Sequence, residues 1–285
     1  CNRIALRAVL LRLVPREIDR TIRPECNTVV PRVDPVGQRT RESGIMHTPT
    51  TTTTILHTSA LTKHYGATRA LDGVSIAFAE GTSTAIMGAS GSGKTTLLHL
   101  LAGIIAPDQG AVTYAHSEIS RLSDADRSRL RREQFGFVFQ QGLLVPELTA
   151  AENVALALML NGMSKREALI PAGQWLAALG LGGMEARRIG ELSGGQAQRV
   201  AIARSQVTGA RIVFADEPTG ALDSTTSAEV MEALLGSTVG QGRTLVVVTH
   251  DPSVAARCQR VVTLSDGRII ADVMNPAASG VEAAR

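Results

Sequence analysis

The sequence predicts an α/β fold, with an antiparallel β edge subdomain and an inserted α-helical subdomain. Three observations carry this. Short apolar runs at Thr84–Met87, Ile212–Ala215 and Leu245–Thr249 read as fully buried strands. Helical patterns follow two of them, at Thr96–Gly103 and about Ser224–Leu235. From about Gln141 to Gly190 the chain becomes rich in Ala, Leu and Met, with helical patterns at Ala150–Asn161 and Ser164–Leu181 and no strand run.

The elements follow in order. Residues 1–54 form a leader of different character. Leu6, Val9, Leu10 and Leu13 share a helical face, but Arg12 and Arg16 fall close to it and Pro15 ends the run. The chain starts with Cys, whereas Met46 precedes a threonine-rich stretch and then clean strand patterning. The leader reads as an upstream extension of the reading frame or a disordered tail. The alternatives are a short basic membrane-surface helix and a cleaved signal, the latter without an Ala-x-Ala site. The main domain is expected over 55–275, with the helical insertion at about 141–200 and a tail at 276–285. Ile55–Thr62 and Leu71–Phe78 alternate and suit antiparallel pairing near a sheet edge. A last hairpin is expected at Val261–Leu264 and Arg268–Ala271, turning at Asp266-Gly267.

Charge and composition exclude several classes. The 285 residues carry a formal charge of +3, which read whole suggests a polyanionic partner. Residues 1–45, however, hold nine Arg and five acids, leaving 20 basic and 21 acidic groups in the other 240 residues. The body is therefore close to neutral, and no nucleic-acid partner is expected. The three cysteines form no Cys-x-x-Cys pair, and Cys258 reads as a small buried hydrophobe. No run of eighteen apolar residues occurs, so the chain reads as a soluble protein from a reducing compartment.

Gly88-Ala-Ser90-Gly91-Ser92-Gly93-Lys94-Thr95 matches G-x-x-x-x-G-K-S/T at every fixed position, between an apolar strand and a helix that opens with Thr96. Such glycines let backbone N–H groups turn inward as an anion nest at a helix N-terminus. Lys94 would reach the β- and γ-phosphates and the Thr95 hydroxyl would hold Mg²⁺, which makes the α/β core a P-loop NTPase core. A second motif, Arg211-Ile-Val-Phe-Ala-Asp216-Glu217, describes a buried strand delivering two acids to the carboxyl edge of a sheet. Asp216 would join the Mg²⁺ shell, and Glu217 would polarise a water for attack on the γ-phosphate.

Between these motifs lies Leu192-Ser193-Gly194-Gly195-Gln196-Ala-Gln-Arg199. With it the chain resembles the ATP-binding-cassette (ABC) ATPases from roughly Leu61 to Ile270. The resemblance implies ATP and Mg²⁺ as ligands and a second ATPase protomer, most simply in a homodimer. Ser193 to Gln196 would then cap the nucleotide held by the facing protomer. It also implies that Gln140, closing Phe135-Gly-Phe-Val-Phe-Gln140, reports on Mg²⁺ and water. His250, after Val-Val-Val-Thr, would bind the γ-phosphate and orient the water of Glu217. Asp223 would link the two sites across the dimer, and Tyr65 would stack on adenine. Ala197 and Ser205 depart from the family's usual residues without removing a phosphate ligand.

Leu97-Leu-His-Leu-Leu-Ala-Gly103, the stretch Phe137–Thr149 and Ala215–Asp223 look like the lipoprotein-releasing and macrolide-export group. That likeness implies an integral membrane permease on a separate chain and a peripheral place on the cytoplasmic face of the membrane. The permease would dock beside Gln140 to Glu147, where Leu143, Leu144, Val145 and Leu148 are the apolar candidates. The alternatives are a permease-like signalling or cell-wall regulatory complex and a soluble non-transport cassette protein. The chain's single cassette and lack of sustained heptads weigh against the last.

Overall fold

Strand after strand delivers its last residue to one edge of a central sheet in this structure, a computed structural model whose described residues are 53–140 and 142–279. Of the expected segments, the leader up to residue 52, Gln141 and the tail from residue 280 lie outside the described residues.

The chain enters β1 (Thr54–Tyr65), which pairs antiparallel with β2 (Thr68–Val74) and with β3 (Ala77–Ala79). It then runs through β4 (Ser83–Met87) and α1 (Lys94–Leu101), followed by β5 (Gln109–Tyr114) and β6 (Ser117–Glu118). Helix α2 (Asp124–Gln134) leads directly into β7 (Phe135–Phe139). The helical stretch holds α3 (Ala150–Met159) and α4 (Lys165–Ala178), and α5 (Gly194–Gln206) returns to β8 (Ile212–Asp216). Helix α6 (Ser224–Ser237), β9 (Thr244–Thr249) and α7 (Pro252–Ala255) follow. The hairpin of β10 (Arg260–Ser265) and β11 (Arg268–Met274) and a short α8 (Pro276–Ser279) complete the described strands and α-helices.

The central sheet has the order β11-β10-β4-β9-β8-β7, parallel throughout except for β11. Its inner strands are buried on both faces, which explains their unbroken apolar runs. Val213, Ala215, Leu245 and Val247 face a core shared with α3 to α7. Ile212, Phe214, Val246 and Val248 face a second core shared with α1 and the antiparallel sheet. Each fully buried Val, Leu, Ile or Phe contributes about 1.5–3 kcal/mol, so the sheet is held from both sides. The register then sets Met87 beside Thr249, Val248 beside Asp216, and Asp216 beside Phe139. Four loops therefore leave the same edge side by side, where ligands bind in such sheets.

Two expectations change in detail. Leu71–Phe78 is two strands, because Gly73 takes a φ of 68° and β1 itself turns left-handed at Ala60 (φ 47°), breaking the ladder. The Thr58 hydroxyl then donates to Val74 O and accepts from Ile76 N, while Ser75 Oγ accepts from Ala60 N. These strands also join β5 and β6 in a sheet of their own rather than forming the edge of the parallel one. Helix α5 continues to Gln206, through the expected end of the helical insertion. The Asp266-Gly267 hairpin turn is as expected, with positive φ at both residues. Cys258 is fully buried, and burial pushes its thiol pKa up to about 12.

Candidate functional site

The loop from Gly88 to Gly93 leaves β4 and feeds α1 at Lys94. Gly88, Gly91 and Gly93 have φ of 155°, 82° and 101°, and a Cβ on Gly93 would lie 2.3 Å from Ala70 O. Ser92 N donates to Ala89 O at 3.2 Å, and Gly267 N donates to Ser92 O at 3.1 Å, tying the loop to the β10–β11 turn. Lys94 Nζ donates to Gly88 O and Ala89 O, both at 2.8 Å, which spans the loop with one ammonium. A lysine has three donors, so one remains for a ligand in the cradle. Ser90 and Gly91 are exposed at the rim, while Ser92 is buried and its hydroxyl has no partner. Thr95 and Thr96 follow on the first turn of α1.

Asp216 ends β8 next to this loop. Its carboxylate lies close enough to Thr95 for the hydroxyl to favour the charged form, yet Oδ1 is buried without a partner. Burial, and then the neighbouring charge of Glu217, push its pKa up to about 6, against the opposing pull of Lys94 and Thr95. A buried carboxylate oxygen without a donor is costly, and a hard cation is the ligand that would satisfy it. The Asp216 carboxylate, Thr95 hydroxyl and Gln140 amide are all oxygen donors, so the residues present fit Mg²⁺.

Glu217 takes a left-handed φ of 47°, a strained conformation for a side chain of its size. Its N–H donates to Val248 O at 2.9 Å. The carboxylate is held at both oxygens: His250 Nδ1 lies 2.7 Å from Oε1, and the Thr249 hydroxyl donates to Oε2 at 3.2 Å. The other imidazole nitrogen, Nε2, is left for another partner. Gln140 lies just beyond β7 and is exposed, its side chain against Gly220, where a Cβ would come within 2.9 Å of Nε2.

Cradle, acids, histidine and Gln140 are thus brought to one sheet edge. Ser193 to Gln196 stand apart. Ser193 caps α5: its hydroxyl accepts from Gln196 N at 3.2 Å, and Gln196 Oε1 accepts from Ser193 N at 2.9 Å. The Ser193 O–H proton and the first-turn N–H groups of Gly194 and Gly195 remain free to donate outward. Gly195 is buried against α6, where a Cβ would lie 2.4 Å from Thr226 Cγ2. Asp223 caps α6: Oδ1 accepts from Thr225 N and Thr226 N, and Oδ2 from the Thr226 hydroxyl at 2.6 Å. These bonds hold its pKa below the usual carboxylate range. Tyr65 ends β1 half-exposed, with Lys63 Nζ 5.9 Å from its ring centroid.

Sequence reasoning missed Thr249, although it stands next to His250. It also missed Gln198, whose Nε2 donates to Phe139 O at 2.9 Å, and Arg204, whose guanidinium holds Gly142 O and Leu143 O. All three serve partners far away in the chain, so no local pattern marks them.

Residues 71–220 match the family model described as ABC transporter. The chain is 44% identical over 214 residues to a Burkholderia thailandensis macrolide export ATP-binding/permease protein, covering 75% of this chain and 33% of that protein. It is 46% identical over 202 residues to a Yersinia pestis protein of the same description, covering 71% and 31%. The chain therefore spans about a third of the length of these curated relatives. Among solved structures, it is similar to a dimeric ATP-binding cassette in a post-hydrolysis state with ADP and phosphate bound. That likeness has a TM-score of 0.71 and 37% identity, over 78% of this chain and 99% of the other. A Clostridium perfringens cassette that is part of the cbiONQ transporter complex matches with a TM-score of 0.72 and 29% identity, over 80% and 91%.

Proposed function

The chain belongs to the ABC transporter family, and on that premise we propose that it binds and hydrolyses ATP to drive an integral membrane permease. The observation that carries this reading is the Glu217–His250 pair at 2.7 Å, set beside a buried Asp216 oxygen with no partner and a glycine-lined phosphate cradle.

In this reading the triphosphate of ATP lies along the N–H groups of 88–93, and Lys94 turns its free donor to the β- and γ-phosphates. Thr95, Asp216 and Gln140 hold Mg²⁺, which when bound neutralises phosphate charge. Tyr65 offers its exposed ring to adenine. Glu217 takes the proton from a water whose oxygen bonds to the γ-phosphorus as the bond to the β–γ bridging oxygen breaks, giving ADP and phosphate. Thr249 and His250 hold the Glu217 carboxylate for this step, and the free imidazole nitrogen of His250 faces the γ-phosphate. The outward donors at Ser193, Gly194 and Gly195 bind the γ-phosphate on a second copy of the chain, so that two ATP molecules lie in the dimer interface. Asp223 then stands near the junction of the two sites. The dimeric form of a solved relative supports this arrangement.

The permease is the partner that the names of the curated relatives suggest. A solved relative that is one part of a transporter complex favours a permease on a separate chain. No helix among the described residues is long and apolar enough to cross a membrane. Docked on such a permease, the chain would work peripherally on the cytoplasmic face. Light scattering on the Glu217→Gln protein tests the dimer. Its mass should double on adding ATP and return on dilution of the nucleotide; a mass unchanged at saturating ATP would contradict the shared site.

A further inference from the structure

The backbone that carries Gln140 is held at both ends by one helix. The turn is closed by Gly142 N donating to Phe139 O at 2.8 Å, and the same Phe139 O accepts from Gln198 Nε2 at 2.9 Å. Beyond it, Gly142 and Leu143 are both left-handed, with φ of 63° and 45°. A leucine does not keep that conformation without outside support. The support is Arg204: Nη1 donates to Leu143 O at 2.9 Å and Nη2 to Gly142 O at 2.6 Å. A guanidinium is a rigid fork, so two consecutive carbonyls gripped together fix the direction of the turn. Gln198 and Arg204 both lie on α5, the helix capped by Ser193.

We propose that Arg204 is a positioning residue for the ATPase reaction: gripping the Gly142 and Leu143 carbonyls, it sets Gln140 at the metal and water, and it makes α5 the rod linking Ser193 to Gln140. A shift of α5 on engaging the facing nucleotide would thus move Gln140 in the chain's own site. Arg204 does this as a cation, since burial lowers its pKa only to about 10. The proposal rests on the reading of Gln140 given above.

Three variants of the full chain test it: Arg204→Lys, which keeps the charge but not the fork, Gln140→Ala, and the double variant. Each is measured for kcat, for trinitrophenyl-ATP affinity in EDTA, and for the gain in that affinity on adding Mg²⁺. Arg204→Lys should lower kcat roughly tenfold and shrink the Mg²⁺ gain, with metal-free affinity within about twofold of wild type. The double variant should be no worse than Gln140→Ala, because both act through one group. Additive losses, or an Arg204→Lys protein with normal kcat and Mg²⁺ gain beside an impaired Gln140→Ala protein, would overturn the proposal. A Gln140→Ala protein with unchanged kcat and Mg²⁺ gain would instead overturn the reading on which it rests. If Arg204→Lys does not fold, Gly142→Ala decides by the same criteria, since it strains the turn from the loop side and leaves the buried fork intact.

Discussion

His250 Nδ1 lies 2.7 Å from Glu217 Oε1, and the Thr249 hydroxyl reaches the other oxygen of the same carboxylate. Two consecutive residues, the last of β9 and the one after it, thus fix the orientation of an acid that follows β8. Replacing His250 by Ala removes the bond to Oε1 and leaves the bond from Thr249. Steady-state kinetics should show kcat reduced roughly a hundredfold with little change in KM, the pattern of an interaction that matters in the transition state. A rise in KM at constant kcat would place His250 in ground-state binding instead.

Asp216 links the site to stability. Its folded pKa of about 6 is above the ordinary carboxylate value of 3.8, so between these pH values the unfolded chain holds fewer protons than the folded one. Stability of the protein in EDTA should therefore fall as pH rises from 4 to 6 and then level off with respect to this group. At one unit per 1.36 kcal/mol the full effect is about 3 kcal/mol. Asp216→Asn removes it, so chemical denaturation should find the variant more stable than wild type at pH 7.5 and no more stable at pH 4. The same variant should lose ATP turnover, setting activity against stability at one residue.

The cradle glycines are not equivalent. A Cβ on Gly88 would lie 2.2 Å from Leu264 O and 2.6 Å from Ser92 Oγ, whereas a Cβ on Gly91 meets nothing within 4 Å. Gly91→Ala should cost only its backbone strain, about 1–2 kcal/mol. Gly88→Ala should cost clearly more, since β10 must also move. Urea denaturation of the two variants checks the order, and equal losses would contradict the described packing.

Gly195 and Thr226 form a contact between α5 and α6 that a single methyl group decides. A Cβ on Gly195 would sit 2.4 Å from Thr226 Cγ2, so Gly195→Ala should lower the melting temperature. Thr226→Ser removes that methyl and keeps the hydroxyl that bonds Asp223, so the double variant should recover most of the loss. Calorimetry of the two single variants and the double variant reads the coupling directly.

Much of this was legible in the sequence where a property repeats locally. The unbroken apolar run Ile212–Ala215 is a strand buried on both faces, and the Asp266-Gly267 pair is a hairpin turn with positive φ at both residues. The cradle and the Asp216-Glu217 pair are contiguous strings, so their places at the ends of β4 and β8 could be read from the sequence alone. The break in Leu71–Phe78 could not, because it depends on Ala60 turning left-handed in the partner strand. Helix α2 has no fully buried residue, so no apolar stripe announced it. Asn153 is a further case: fully buried, it accepts from Val145 N and donates to the Val145, Leu148 and Thr149 carbonyls, shaping the loop after Gln140. Like Gln198 and Arg204, it satisfies backbone groups that only the folded chain brings to it.

The central claim is that this chain hydrolyses ATP with Glu217 as the base. Phosphate release by the purified Glu217→Gln protein, at ATP concentrations shown by direct binding to saturate it, tests that claim most directly. The account predicts unchanged nucleotide affinity and a turnover rate at least roughly a hundredfold below wild type. Wild-type turnover by Glu217→Gln at saturating ATP would contradict it.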